Sequence, residues 1–262
     1  MTNLTGKTAI ISGGLGDIGF AVVRALAKAG AAVAVGDLHD PARAAQLLEP
    51  LVQSGSALHY RQVDVTCADA VDAWVADVEA DLGIVQLVIP NAASVTAMDL
   101  LKIRPFEWDR EIDVNLHGAF YLAQACAKRL VAENLPGRMV FLGSWAGHSA
   151  HSNIPAYCVS KAALRMLCQV FALRLAKHNI LVNEVAPGFV DGGLSARLFE
   201  RDPELRARTQ DWVPVHKLIT TTEVAEQVIH LADFANQHIT GCTLTMDGGL
   251  TLTRVSNGDC AE

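Results

Sequence analysis

Short runs of aliphatic and β-branched residues recur along the chain, each followed by a longer stretch whose apolar positions repeat at helical spacing. The runs are T-A-I-I-S at 8–12, A-A-V-A-V at 31–35, L-H-Y-R-Q-V at 58–63, I-V-Q-L-V-I at 84–89, R-M-V-F-L at 138–142, L-V-N-E-V at 181–185 and T-L-T-M at 243–246. Such runs predict strands. Strands alternating with helices predict a parallel sheet covered by helices on both faces. The expected fold is an α/β single-domain doubly wound parallel sheet of seven strands. No linker, repeat or low-complexity tract divides residues 1–262. Ligands of such a sheet bind beyond the carboxyl ends of its strands, so the residues that follow each run are the candidate site.

After the first run stands S12-G13-G14-L15-G16-D17-I18-G19, then a helix pattern ending at Gly30. Glycines there permit a tight strand-to-helix turn and close approach of a pyrophosphate, whose charge sits at the positive end of the helix dipole. Any sharp turn favours glycine, but a strand before and a helix after favour the phosphate reading. The second run ends in V35-G36-D37, where the Asp37 carboxylate is placed to accept from both hydroxyls of an adenosine ribose and to repel a 2′-phosphate. Asp64 and Asn91 follow the third and fourth runs; each reads as a ligand or as a turn residue.

The fifth run delivers L142-G143-S144, and A-Y157-C-V-S-K161 follows. Tyrosine and lysine at i and i+4 share one helix face, which an ordinary polar stripe also provides. Upstream, E-I-D-V-N115-L-H-G carries an asparagine in an otherwise apolar helix pattern, read as a buried or kink-forming residue or as a satisfied core amide.

The combination resembles the short-chain dehydrogenase/reductase family from about Lys7 to Gly249, most specifically in Ser144, the thirteen-residue interval and Tyr157-x-x-x-Lys161. The resemblance implies a Rossmann-like fold and an NAD cofactor. It makes Tyr157 the general acid/base, Lys161 the group that binds nicotinamide ribose and lowers the tyrosine pKa, Ser144 the holder of the substrate oxygen, and Asn115 the holder of a water in the proton relay. V-N183-E-V-A-P187-G188 matches the segment beside the nicotinamide, and M-D247-G-G closes the last strand. The implied cofactor site comprises Ser12, Gly13, Asp17, Ile18, Gly19, Asp37, Asp64, Val65, Asn91, Ala92, Tyr157, Lys161, Pro187, Gly188 and Val190. A free tyrosine titrates near about 10 and is a poor base at neutral pH, whereas a nearby ammonium favours the phenolate. The sequence departs from the family pattern at Ser12 (threonine), Asp17 (glycine), P90-N91-A92-A93 (N-N-A-G) and Gly192 (threonine).

The resemblance places His148 and His151 in a loop bordering the substrate pocket; Ser144, His148, His151, Asn153 and Tyr157 are the expected substrate contacts, Trp145 reads as a substrate wall or as ordinary packing, and with Ser94 the polar residues suggest a hydroxyl-rich molecule such as a sugar or polyol. The H-x-x-H pair at 148 and 151 lacks a third ligand at suitable spacing, so no metal is expected. The charged stretch 189–215 is long for a connection and reads as a mobile lid over the pocket. Apolar residues around the circumference of the helix pattern 156–178, and the A-F-Y-L-A-Q-A-C-A of 119–127, predict a homo-oligomer, although a deeply buried core helix gives the same pattern; the resemblance makes it a tetramer.

Twenty-one basic against twenty-eight acidic residues give a net charge of −7. No basic cluster is interleaved with aromatics, which argues against nucleic acid and anionic membranes as partners. The amino terminus shows no leader pattern, no apolar run approaches the ~20 residues of a membrane span, and the six cysteines are scattered as reduced thiols would be. A cytoplasmic location is expected. The function expected is an NAD(H)-dependent oxidoreductase interconverting a secondary alcohol and a ketone. The alternatives are an NADP(H)-dependent carbonyl or 3-oxoacyl-thioester reductase of the same fold, and a non-catalytic dinucleotide-sensing protein; Asp37 argues against the first, and Tyr157 with Lys161 against the second.

Overall fold

The structure, a computed structural model, describes residues 2–253; Cys260 and the rest of the carboxyl terminus lie outside them. In chain order the first half builds β1 (Thr8–Ser12), α1 (Asp17–Lys28), β2 (Ala32–Asp37), α2 (Pro41–Gln53), β3 (Leu58–Gln62), α3 (Ala68–Leu82) and β4 (Val85–Ile89). The second half builds α4 (Pro105–Ile112), α5 (Gly118–Ala132), β5 (Gly137–Leu142), α6 (Pro155–Leu175), β6 (Ile180–Pro187), α7 (Ala196–Arg201), α8 (Pro203–Trp212), α9 (Thr221–Ala232) and β7 (Thr243–Met246). The sheet order is β3-β2-β1-β4-β5-β6-β7, and every pairing is parallel. All seven predicted strands are present within two residues of their expected bounds.

Alternation along each strand divides the core. Ile10, Met139, Phe141, Ile180 and Val182 pack under α3, α5 and α6, while Ala9, Ile11, Val140, Leu142 and Val185 pack under α1, α2 and α9. A period of two is what places successive side chains on opposite faces. The inner strands are buried on both faces and are therefore nearly continuous apolar runs.

Several ends are fixed by local chemistry. Pro41 opens α2 behind Asp40, whose side chain accepts from the Arg43 N–H. A reciprocal Thr220–Glu223 box opens α9. Between α4 and α5 a single π turn spans Asp113–His117 with Asn115 buried inside it, the helix irregularity the interior asparagine suggested. Helix α6 and the turn after it, Pro155–His178, are long and apolar enough to cross a membrane, with a best-window mean hydropathy of 1.3. The sequence reading of no such run is corrected here, although α6 packs on β6 and buries Ala156, Ser160, Lys161, Leu164, Cys168, Ala172 and Leu175 as a core helix does.

The 189–215 stretch is not a structureless loop. It contains α7 and α8, buries Val190, Phe199 and Val213, and is pinned by an Asp191–Arg206 ion pair and by a parallel bridge between Val190 and Ile219.

Candidate active site

The turn after β1 is shaped by backbone. Gly13 adopts φ +63°, and a Cβ there would lie 2.9 Å from the Ala92 Cα. At Gly19 a Cβ would collide with the Gly13 carbonyl oxygen, so α1 starts against its own loop only because both positions lack side chains. Ser12 clamps the far side: its hydroxyl accepts from the N–H groups of Asn91 (3.1 Å) and Ala92 (3.2 Å). The Asn91 side chain donates to the carbonyls of Ser12 and Gly13, both at 2.9 Å. Asn91 and Ala92 thus hold the loop's shape, a role that their position after a strand did not distinguish from that of a ligand.

Gly16 precedes α1 and supplies no side-chain cap, so the first N–H groups of the helix remain for an anion. A glycine cradle, an uncapped helix start and Asp37 at the neighbouring strand end fit a dinucleotide. Asp37 itself accepts from the Leu15 N–H (3.0 Å), the Leu38 N–H (2.8 Å) and His39 Nδ1 (2.7 Å). Asp64 accepts from the Thr66 N–H and hydroxyl and forms a turn, and Val65 is packed where a side chain on Gly118 would lie.

Two departures from the family pattern meet in space. The Asp17 carboxylate, which the sequence put beside the pyrophosphate, accepts from the Gly193 N–H at 2.8 Å. Gly192 adopts φ +150°, and a Cβ there would lie 2.9 Å from Thr221 Cγ2, so the absent threonine has no room in this backbone. Asp17 and the glycine pair form one tie between the glycine-rich loop and the start of the 189–215 stretch. Pro187 ends β6, and Gly188 passes close enough that a Cβ would lie 2.9 Å from the Asp247 Cα.

The catalytic candidates come from β5 and α6. The Ser144 hydroxyl accepts from the Ala146 N–H at 3.1 Å, which leaves its own hydrogen free to donate. Lys161 is buried, donates from Nζ to the Leu142 carbonyl at 2.7 Å, and lies 5.6 Å from the Tyr157 ring centroid. Desolvation lowers the Lys161 pKa to about 8, opposed by the Glu184 carboxylate. Tyr157 keeps an intermediate exposure, yet burial pushes its phenol up to about 12, with Ser144 opposing and Cys158 and Glu111 adding to the rise. The phenol therefore moves opposite to the lowering expected from Lys161: the i, i+4 spacing sets a shared face, and the ammonium's hydrogen bond goes to the strand instead.

Asn115 is also differently engaged. Its Oδ1 accepts from the Ser94 N–H, and its Nδ2 donates to the Ser94 carbonyl and the Ser160 hydroxyl. Its side chain thereby ties α5's entrance to α6 and to the 94–96 segment, with both amide hydrogens occupied. Ser160, unmarked in the sequence reading although it lies in the same A-Y-C-V-S-K, passes this contact on to the Tyr157 carbonyl at 2.8 Å.

Around this group, Trp145 is buried, with its ring 4.4 Å from the His151 ring and 5.0 Å from Phe189 at the start of the 189–215 stretch, which in turn approaches Trp212 on α8 at 6.4 Å. Phe189 and Trp212 were missed; an aromatic at each end of the charged stretch was the available signal. Burial lowers the His151 pKa, and its Nε2 and the Ser94 hydroxyl are buried without hydrogen-bond partners. His148 pairs with Arg165 through Nδ1 at 2.6 Å. Asn153 is an exposed residue whose main-chain carbonyl accepts from the Met98 N–H at 2.8 Å, so the structure makes it a backbone partner of the 94–100 segment. No cluster of three or more metal-ligating side chains occurs among the described residues.

Residues 14–251 match the family profile described as enoyl-(acyl carrier protein) reductase. The sorbitol dehydrogenase of Cereibacter sphaeroides is 31% identical over 254 residues, covering 94% of this chain and 98% of that protein. The 3-oxoacyl-[acyl-carrier-protein] reductase MabA of Mycobacterium bovis is 32% identical over 244 residues, covering 93% and 92%. A crystal structure of gluconate 5-dehydrogenase from Burkholderia cenocepacia, in complex with NADP and tartrate, superposes with a TM-score of 0.89 at 30% identity, covering 96% of this chain and 97% of that one.

Proposed function

The chain belongs to the short-chain dehydrogenase/reductase family and is an NAD(P)-dependent oxidoreductase of alcohols and ketones, and from that premise we propose that it interconverts a secondary alcohol and a ketone on a sugar or polyol, using NAD(H). The observation that carries the reading is the meeting of Ser144, Tyr157 and Lys161 at the sheet edge that also holds the glycine cradle. A nicotinamide, when bound, supplies or accepts the hydride. The chain's own residues manage the oxygen. Ser144 donates its free hydrogen to that oxygen, Tyr157 gives or takes the proton on it, and the Lys161 ammonium provides positive charge beneath the tyrosine ring.

The polyol reading draws on the unpartnered Ser94 hydroxyl and His151 Nε2, the latter's ring beside a Trp145–Phe189 wall suited to the C–H face of a sugar. The relatives named for sorbitol and gluconate support it. For NAD, the support is Asp37 at the end of β2, whose charge would repel a 2′-phosphate. A second reading, an NADP(H)-dependent 3-oxoacyl-thioester reductase, has its own support in the name of MabA and in the NADP bound to the gluconate 5-dehydrogenase.

An absorbance screen with both reduced and both oxidised dinucleotides against polyols, sugars, hydroxy acids, steroids and 3-oxoacyl thioesters separates these readings. Turnover confined to aliphatic alcohols, steroids or thioesters rejects the polyol proposal, and an equal or higher kcat/KM with NADP rejects the NAD choice. Absence of turnover with an intact dinucleotide affinity would favour a sensing protein.

The same proposal includes a cytoplasmic homotetramer. Val159, Met166, Val170 and Leu173 form one exposed apolar stripe on α6, at spacings that share a helix face, whereas Ala119, Leu122, Ala123, Ala125, Cys126 and Ala127 of α5 are buried within the chain. Light scattering that returns the mass of one chain rejects the assembly, and recovery from a membrane or exported fraction rejects the location.

A further inference from the structure

Strand β6 ends its apolar row with a carboxylate. Ile180 and Val182 face the α6 layer, and two residues on, Glu184 projects to the same side with 1% exposure. Its Oε2 accepts from the Thr243 hydroxyl at 2.6 Å. Its other oxygen lies where a Cβ on Gly143 would stand, and the Glu184 Cδ and Cγ lie 2.6 and 2.8 Å from that point. Gly143 follows Leu142, whose carbonyl receives the Lys161 ammonium at 2.7 Å. Carboxylate and ammonium thus flank one peptide unit of β5, both out of solvent.

We propose that Glu184 is a positioning residue of the catalytic group, the buried counter-charge that keeps the Lys161 ammonium protonated and seated on the Leu142 carbonyl. It touches neither the expected substrate nor the dinucleotide; it acts through Lys161. A buried ammonium with one carbonyl partner tends to shed its proton, and an opposite charge nearby resists that loss. Gly143 makes the arrangement sterically available, because any side chain there would displace the carboxylate. The other titrating or charged groups facing Glu184 are Arg165 and Cys168 from α6 and Cys242 just before β7, with Arg165 drawn toward His148. Burial raises the Glu184 pKa, while the Thr243 bond and the Lys161 and Arg165 charges hold it down.

The inference rests on the assignment of Lys161 to the reaction only for its functional meaning, and its test uses neither substrate nor dinucleotide. Protein carrying [13Cε]lysine is titrated by NMR, with the Lys161 resonance identified by its disappearance in Lys161→Met. The wild-type midpoint is expected near about 8. In Glu184→Gln it should fall by about 1–3 pH units, and Glu184→Asp, which keeps the charge, should recover part of that fall. Thr243→Val leaves Glu184 in place but removes the bond that favours its ionised form, so it should shift the midpoint in the same direction by less. A Glu184→Gln midpoint equal to wild type overturns the proposal. Should that variant not fold, an unmoved midpoint in Thr243→Val does so. A failed activity screen would leave this titration unaffected, so the two readings fail separately.

Discussion

The two halves of the site are made of different material. On the dinucleotide side, β1, β2 and the start of α1 present main chain: glycines at 13 and 19, a serine and an asparagine that hold the turn, and helix N–H groups without a cap. On the reaction side, β5, β6 and α6 bury ionisable side chains, Lys161 and Glu184 among them. Under the proposed function the first half recognises by shape and dipole and depends on side chains being absent. The second works by charge in a desolvated setting, where each group changes the proton affinity of its neighbour. One half should therefore be sensitive to added volume, the other to lost charge and to pH.

The largest expected break comes from the reaction half. Tyr157→Phe removes one hydroxyl and should lower kcat by about 10²–10⁴-fold while NADH affinity, measured by fluorescence titration, changes little; near-normal turnover would remove Tyr157 from the chemistry. Next is the cost of the buried ammonium. Lys161 titrates near about 8 in the folded chain against 10.5 ordinarily, so between those values the unfolded chain holds the extra proton and stability rises with pH; below about 8 both states hold it and the full cost remains. Urea melts of wild type should gain up to about 3 kcal/mol on Lys161→Met as the pH is raised from 8 to 10.5. A constant difference would show that burial does not depress that lysine.

The dinucleotide half should answer to volume instead. Gly19→Ala forces a methyl against the Gly13 carbonyl, an overpacking that costs about 1–3 kcal/mol, and should weaken NADH binding with little effect of pH. Binding as tight as wild type would mean that the cradle is not needed. The smallest effect tests the tie between the glycine-rich loop and the 189–215 stretch. Asp17→Asn removes a negative charge from the start of α1, where a unit charge is worth about 0.3–1 kcal/mol, so NADH affinity should improve by roughly two- to fivefold. Weaker binding would instead assign the carboxylate's hold on Gly193 the greater influence.

These halves were also unequally legible in the sequence. The inner strands followed from apolar runs because their burial on both faces leaves little else for a side chain to be, while β3 and β7 at the sheet edges are only partly buried and show shorter or more polar runs. The glycine turn was equally plain, since the conformation it needs restricts the residue types that adopt it. The reaction half gave up its residue types, Ser144, Tyr157 and Lys161, but not their electrostatics: four-residue spacing could not say that the Lys161 ammonium would bind the Leu142 carbonyl. Glu184 was visible as a carboxylate inside an apolar strand, and only the packing of the sheet shows the space beside Gly143 that it fills and the Thr243 hydroxyl that donates to it. The Asp17–Gly193 contact joins residues 176 apart in the chain, and neither departure from the family pattern indicates the other. Helices α7 and α8 were hidden because α8 is largely polar and buries only Thr209 on its own account.

The missing space beside Gly143 has a consequence for how this protein can be changed. Because the Glu184 carboxylate lies where a Cβ at Gly143 would be, the two positions are not independent sites for variation. A library that samples Gly143 one substitution at a time will score every replacement as defective, whatever its merit for the reaction. Shortening Glu184 first opens the route, so the order of mutational steps, and not only their identity, decides which neighbouring sequences this fold can reach.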